Sequence, residues 1–289
     1  MLKLLGGFLM AMADSVPGVS GGTILFLLGL YDNFISSLSK LISGTKEERI
    51  DALKFLIRLG IGWVLGFVLA VLVITSLFES HIYQVSSVFL GFIIFSIPIV
   101  MKQEKEVIKG KYVNLIYTAL GMAIVIAITM LNPSGGAESA GFTLTLGSGI
   151  YVFAVGMVAI SAMVLPGISG STLLLIFGLY MPVMSAIKGV LHFEFSNLPV
   201  CIIFGLGVIA GILLVIKLVD YMLKNHRSQT IYAIIGLMIG SLYSIVQGPT
   251  TLDVPKPAMS FDTFHILFFL LGGVIIFGLQ LLQSKKEEK

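Results

Sequence analysis

Two stretches carry most of the side chains that could do chemistry in an otherwise apolar chain. Pro17-Gly18-Val19-Ser20-Gly21-Gly22-Thr23 precedes Gly29-Leu30-Tyr31, and Pro166-Gly167-Ile168-Ser169-Gly170-Ser171-Thr172 precedes Gly178-Leu179-Tyr180. Proline stops a helix, and the glycines admit backbone conformations closed to other residues. Ser20 or Ser169 can then cap the apolar helix that follows. The backbone N–H groups of Gly21, Gly22 and Thr23, and of Gly170, Ser171 and Thr172, would point from such a helix start into the break. Unpaired donors and a partial positive charge suit an anion there, phosphate above all. The hydroxyls of Ser20, Thr23, Ser169, Ser171 and Thr172 add donors. Two such ends meeting from opposite faces make a pocket for one phosphate group. The plainer alternative is that these small residues only let helices pack closely.

Two charges stand near or within the apolar regions. Asp14, three residues before Pro17, is a functional candidate by its setting. It would be a proton carrier, a sodium ligand, a partner for Arg58, or a cap on the turn. Arg58 either reaches a phosphate bidentately or snorkels back to the membrane surface. Lys217 and Asp220 read as anchors at a span's end, and Tyr31 and Tyr180 as interfacial aromatic anchors. Cys201 is the single cysteine, so no internal disulfide can form, and the four histidines lack metal-ligand spacing. No metal and no cofactor is expected. There is no Ser/His/Asp arrangement, no nucleotide-binding loop of Walker type and no paired carboxylates in an apolar run, which argues against an enzyme. A net charge of +3, with the basic residues in breaks between apolar blocks, argues against a nucleic-acid partner.

The elements that must position these motifs are membrane helices. Of the 289 residues 57% are hydrophobic and 11% charged, against about 25% charged in soluble domains. Apolar blocks long enough to cross a bilayer run over about 55–78, 85–101, 112–131, 200–219, 230–246 and 263–282, and two more regions, 1–38 and 145–187, are each broken by a Pro-Gly motif. Basic residues favour the cytoplasmic side. Lys40–Arg58, Lys102–Lys111, Lys217–Arg227 and the C-terminal tail are rich in them, whereas Glu79–Gln84 and Asn132–Ser148 have none. This alternation places both termini in the cytoplasm and makes both broken regions hairpins. The first arm, Met1–Ala13, would rise only about 20 Å, short of the roughly 30 Å hydrocarbon core, so the first hairpin is expected to be re-entrant. The second is either re-entrant or fully spanning. A start of Lys3, a short apolar run and Ala11-Met12-Ala13 imitates a signal peptide, but the motif follows directly and the uncleaved reading is preferred.

The motifs also mark a duplication. They share Pro, Gly, Ser, Gly and Thr, then Gly-Leu-Tyr; further on, Gly60, Gly62 and Gly66 align with Gly205, Gly207 and Gly211. His81, Gln84, Gly91 and Ser96 align with His226, Gln229, Gly236 and Ser241. The expected fold is all-α and integral to the membrane, a single membrane domain of two repeats over 1–131 and 145–282. Each is one broken-helix hairpin plus three transmembrane helices. Three is odd, so the second repeat is inverted, an organisation found in secondary transporters with the substrate site at the repeat interface.

At Ala13-Asp14-Ser15-Val16-Pro17-Gly18-Val19-Ser20-Gly21-Gly22-Thr23 and Pro166-Gly167-Ile168-Ser169-Gly170-Ser171, the chain resembles the bacterial membrane family catalogued as domain of unknown function 368 (DUF368). The resemblance covers essentially the whole length. It implies a polyprenyl-phosphate transporter of the bacterial cell membrane that returns undecaprenyl phosphate, the lipid carrier of cell-wall synthesis, from the outer leaflet to the inner. The residues alone say only anion, with phosphate preferred. A carrier of a soluble anion, such as phosphate or an organic acid, is the alternative, and a membrane enzyme acting on lipid phosphates a third reading. Coupling to H+ or Na+, direction and oligomeric state are not legible.

Overall fold

The computed structural model describes residues 2–14, 20–69, 75–131, 144–167, 170, 173–174, 177–191, 193–251 and 255–287. Within them the chain is helical, with no strand. In order come α1 (Leu2–Asp14), α2 (Gly21–Leu27), α3 (Tyr31–Ser43), α4 (Lys46–Leu69), α5 (Thr75–Gln103), α6 (Lys105–Ile108), α7 (Leu115–Met130), α8 (Leu146–Val164), α9 (Tyr180–Leu191), α10 (Leu198–Asn225), α11 (Arg227–Gln247) and α12 (Ile266–Glu287). Helices suit these runs of about twenty apolar residues, because only a helix satisfies its backbone groups within its own segment without water. Among the described residues five are long and apolar enough to cross a bilayer: Lys46–Leu69, His81–Gln103, Tyr112–Met130, Leu198–Asn225 and Arg227–Thr250. The pair α2 and α3, bent by 113°, would add a sixth. The chain is a multi-pass membrane protein.

Two boundaries differ from expectation. Lys46–Lys54, read as loop, forms the first turns of α4, so that helix starts nine residues before the apolar block does. The charged lead is helix-compatible and has its own N-terminal device: Thr45 Oγ1 accepts the Glu48 N–H at 3.3 Å while Glu48 Oε2 accepts the Thr45 N–H at 3.0 Å. Glu79–Gln84, read as a loop, lies inside α5, broken at His81 (φ −128°, ψ 32°). His226, its aligned counterpart, makes the same break between α10 and α11 (φ −131°, ψ 40°).

Helices pack where glycine removes the Cβ. A Cβ on Gly62 would sit 1.9 Å from the Leu4 carbonyl oxygen, and one on Gly66 2.3 Å from that of Phe8, so α1 runs parallel to α4 in backbone contact. Gly207 and Gly211 meet Phe153 and Met157 likewise, at 2.2 and 2.4 Å, seating α8 along α10. Gly236 meets the Thr118 carbonyl oxygen at 2.2 Å and joins α11 to α7, and Gly91 meets that of Phe269 at 2.1 Å and joins α5 to α12. Small residues four apart permit such approaches in membranes, where dispersion and not the hydrophobic effect holds helices together. Gly29 (φ 62°) and Gly178 (φ 65°) close the helical turns before them with the same bond, Leu30 N–H to the Leu25 carbonyl and Leu179 N–H to the Leu174 carbonyl, each 2.9 Å. That is the Schellman closure glycine favours.

The polar ends sort into two sets. At one end the Arg227 Nη1 donates to Asp32 at 2.7 Å and its Nε to Glu104 at 3.0 Å, tying α11 to α3 and to the junction of α5 and α6. Beside them Asp220 accepts from Ser39 Oγ at 2.9 Å and Lys224 at 2.7 Å. Asp220 therefore ties α3 to α10. At the other end of α11, Tyr83 Oη donates to the Pro257 carbonyl at 3.0 Å and His265 N–H to Ser87 Oγ at 3.1 Å. Arg227→Gln removes both ion pairs. Being about a third exposed, they are screened, so the expected cost is about 1–2 kcal/mol, read as a drop of a few degrees in the thermal midpoint in detergent.

Candidate functional site

The first break is built by the end of α1, the start of α2 and the approach of the second break. Ser20 stands at the N-cap position with extended backbone (φ −113°, ψ 128°) but makes no side-chain cap bond. Its hydroxyl donates instead to the Leu165 carbonyl at 3.2 Å. The cap is supplied from α1, where Asp14 Oδ1 accepts the Gly21 N–H at 2.8 Å. Gly21 has no room for a side chain because Asp14 Oδ2 would lie 2.6 Å from its Cβ. Oδ2 is sealed from solvent without a hydrogen-bond partner, and the carboxyl lies beside the Trp63 indole of α4. A buried carboxylate oxygen left unpaired costs free energy that an apolar side chain would not.

The two breaks touch. Besides the Ser20 bond, Thr23 Oγ1 accepts the Gly167 N–H at 2.8 Å, and Tyr31 Oη donates to the Val164 carbonyl at 3.0 Å. The carbonyls at the end of α8, orphaned because the helix stops there, are thus satisfied by side chains of the first motif. Gly22 lets this happen, since a Cβ there would come within 3.2 Å of the Val164 carbonyl oxygen. Gly167 (φ 92°) would clash with Leu237 of α11 at 2.5 Å if it carried a side chain. Tyr31 is 1% exposed and edge-on to Phe26 at 5.7 Å, so it is a buried strut and not an interfacial anchor. Tyr31→Phe removes the hydrogen bond to the Val164 carbonyl and is expected to destabilise the protein by about 1–2 kcal/mol, measured by chemical unfolding in detergent.

Of the residues singled out from sequence, the structure gathers Asp14, Ser20, Gly21, Gly22 and Thr23 around the first break, with Gly170 buried against α8 near Ala159 and Met163. Ser169, Ser171 and Thr172 lie outside the described residues. Arg58 is not a partner of Asp14. Gly62 meets Leu4 and Gly66 meets Phe8, so Arg58 is level with the start of α1, whereas Asp14 is its last residue. Sequence reading missed Trp63 and the Leu165–Gly167 backbone; a lone tryptophan in an apolar span was the available signal. Ser20 and Thr23 are buried, at most 2% exposed. Among the described residues no cluster of His, Cys, Asp and Glu could hold a metal ion.

Residues 10–263 match the VCA0040-like family, described as undecaprenyl phosphate translocase-like. The chain belongs to this family. A polyprenyl-phosphate transporter of Staphylococcus aureus is 36% identical over 99% of this chain and 98% of its own length. One from Vibrio cholerae serotype O1 is 31% identical over 86% of this chain and 78% of its own. No solved structure matches. The undecaprenyl phosphate translocase-like family is one of transporters, not enzymes, and the matched segment contains both motifs, Asp14, Arg58 and Trp63.

Proposed function

We propose that this protein moves undecaprenyl phosphate, or a close polyprenyl phosphate, across the bacterial cell membrane and so recycles the lipid carrier for cell-wall polymers. The headgroup binds between the paired breaks while the prenyl chain stays in the bilayer. The observation that carries the reading is the meeting of the two breaks, Ser20, Thr23 and Tyr31 bonded to 164–167, beside a sealed carboxylate within an apolar bundle. Such polar groups are costly there unless they serve a passage. The relatives' names supply the substrate class.

The phosphate oxygens would be held by the N–H groups of Gly21, Gly22 and Thr23 and the Ser20 and Thr23 hydroxyls. From the second motif they would be held by Ser169, Gly170, Ser171 and Thr172. Asp14 already occupies the Gly21 N–H, so an arriving phosphate must displace its carboxylate. Two anions this close are compatible only if one is neutralised. Asp14 is thereby the coupling residue, taking H+ or Na+ as the phosphate enters.

Matched geometry supports two inverted repeats and an alternating mechanism. The Gly62/Gly207, Gly66/Gly211 and Gly91/Gly236 approaches, the His81/His226 breaks and the Gly29/Gly178 turns recur at aligned positions. The N-terminus of α11 meets the end of α5 at Glu104, so α11 runs opposite to its aligned partner α5. The basic segments 102–111 and 217–227 share one end through the same contact, which favours cytoplasmic termini.

The test is purified protein in liposomes, with labelled undecaprenyl phosphate followed between leaflets beside uptake of inorganic phosphate and release of phosphate from the lipid. Lipid movement without hydrolysis is expected. Uptake of inorganic phosphate with a static lipid would instead favour the soluble-anion carrier, and released phosphate would favour an enzyme.

A further inference from the structure

Among the described residues α3 reaches the second half of the chain through three hydrogen bonds, each a single one. Tyr31 Oη donates to the Val164 carbonyl at 3.0 Å, Arg227 Nη1 to Asp32 at 2.7 Å, and Ser39 Oγ to Asp220 at 2.9 Å. Ile35, wholly buried, shares the helix face of Ser39 and lies in one apolar cluster with Ile216 and Val219 of α10. The start of α11 is held more firmly. Glu104 takes the Arg227 guanidinium on both carboxylate oxygens, Tyr232 Oη donates to the Ile108 carbonyl at 3.2 Å, and Asn114 Nδ2 donates to Ser228 Oγ at 2.9 Å. Thr230 Oγ1 braces the corner with α10 through the Met222 and His226 carbonyls, at 3.1 and 2.9 Å. Arg227 is thus a fixed guanidinium with one arm, Nη1, given to α3. The Glu104 side chain is 14% exposed and that of Asp32 47%, so the Asp32 contact is the one water weakens. Asp32 also directly follows Tyr31, the residue bonded to the second break.

A repeat would place a like cluster at the opposite end of the molecule. In the registers set by Gly29/Gly178 and His81/His226, however, Asp32, Arg227 and Glu104 answer to Met181, Ile82 and Pro249. Those three cannot form an ion pair, so the charged contact belongs to one end alone.

We propose that α3 is a gate at the end carrying the basic segments 102–111 and 217–227, and that the Arg227–Asp32 pair is its latch, opened by the lipid phosphate. The phosphate takes the Nη1 arm of Arg227, repels Asp32, and α3 lifts from α10. Arginine suits the exchange because its planar fork keeps Glu104 on one edge while offering the other to a second anion. A lipid without the phosphate leaves the latch shut. The latch presupposes the transport reading and adds to it which element moves and what moves it.

Cysteine accessibility decides it, in the full-length protein carrying Cys201→Ala and Ile35→Cys, reconstituted in liposomes and treated with a water-soluble maleimide. Farnesyl phosphate is expected to raise the labelling rate at position 35 about tenfold, and farnesol to leave it unchanged. Asp32→Asn should give the fast rate with no farnesyl phosphate present and no further response to it. Labelling unmoved by farnesyl phosphate, raised equally by farnesol, or unaltered by Asp32→Asn overturns the latch. A second preparation, Cys201→Ala with Ser39→Cys and Asp220→Cys, holds α3 on α10 through a short reducible cross-link. Exchange of undecaprenyl phosphate between leaflets should fall at least about tenfold when the link is formed and recover on reduction. Exchange as fast with the link as without it removes the gate and leaves the transport reading standing. Phosphate-dependent labelling with no exchange in any preparation keeps the gate and removes transport.

Discussion

Asp14→Asn is expected to give a protein more heat-stable than the wild type and at least about tenfold slower in moving polyprenyl phosphate. The amide keeps an acceptor oxygen for the Gly21 N–H, so the local geometry survives. It also removes a charge whose second oxygen is sealed without a partner, and burying such a charge costs several kcal/mol. Transport suffers because the displaceable, neutralisable carboxylate is gone. Phosphate should then bind more tightly and leave more slowly, since a neutral amide competes more weakly for the Gly21 N–H and does not repel the anion. Thermal melts, lipid binding and translocation on one preparation separate these effects. A variant that melts lower yet transports normally would make Asp14 a helix cap and nothing more.

Gly62→Leu is expected to cost more than about 4 kcal/mol and to abolish transport. The new Cβ would lie 1.9 Å from the Leu4 carbonyl oxygen and 2.7 Å from its carbon, which are backbone atoms that no rotamer change can move aside. α1 would have to leave α4, carrying Asp14 away from Gly21 and Trp63. Gly205→Leu is the control, a glycine of α10 with open space around it, and should stay within about 0.5 kcal/mol of wild type. Size-exclusion profiles and thermal midpoints in detergent compare the two. If both variants behave alike, the close packing of α1 on α4 is not what holds the first break together.

Most of the helical plan was legible because hydrocarbon leaves the chain one solution, and long apolar runs announce it. The ends were less so. Lys46–Lys54 is charged enough to read as loop, yet its i,i+3 pair Lys54–Asp51 and its Thr45–Glu48 box are helix devices. The first motif was recognisable as a break from proline, glycine and serine alone. What it bonds was not, because Ser20, Thr23 and Tyr31 find partners more than 130 residues away in the backbone of 164–167. Ser20 could be read as a cap from its position, but the capping acceptor is Asp14, seven residues before Gly21. Arg58 and Asp14, both charges in apolar surroundings, lie at opposite ends of the α1–α4 contact, a distinction that requires knowing that Gly62 meets Leu4 and Gly66 meets Phe8.

The most direct measurement is the initial rate of undecaprenyl phosphate exchange between leaflets in liposomes carrying wild-type protein or Ser20→Ala. That variant removes one hydroxyl from the first break at a cost of only about 1 kcal/mol in stability. Wild-type liposomes should move the lipid well above protein-free ones, and Ser20→Ala should be slower by about tenfold or more. Wild-type protein no faster than empty liposomes, or Ser20→Ala as fast as wild type, would contradict a lipid phosphate passing between the paired breaks.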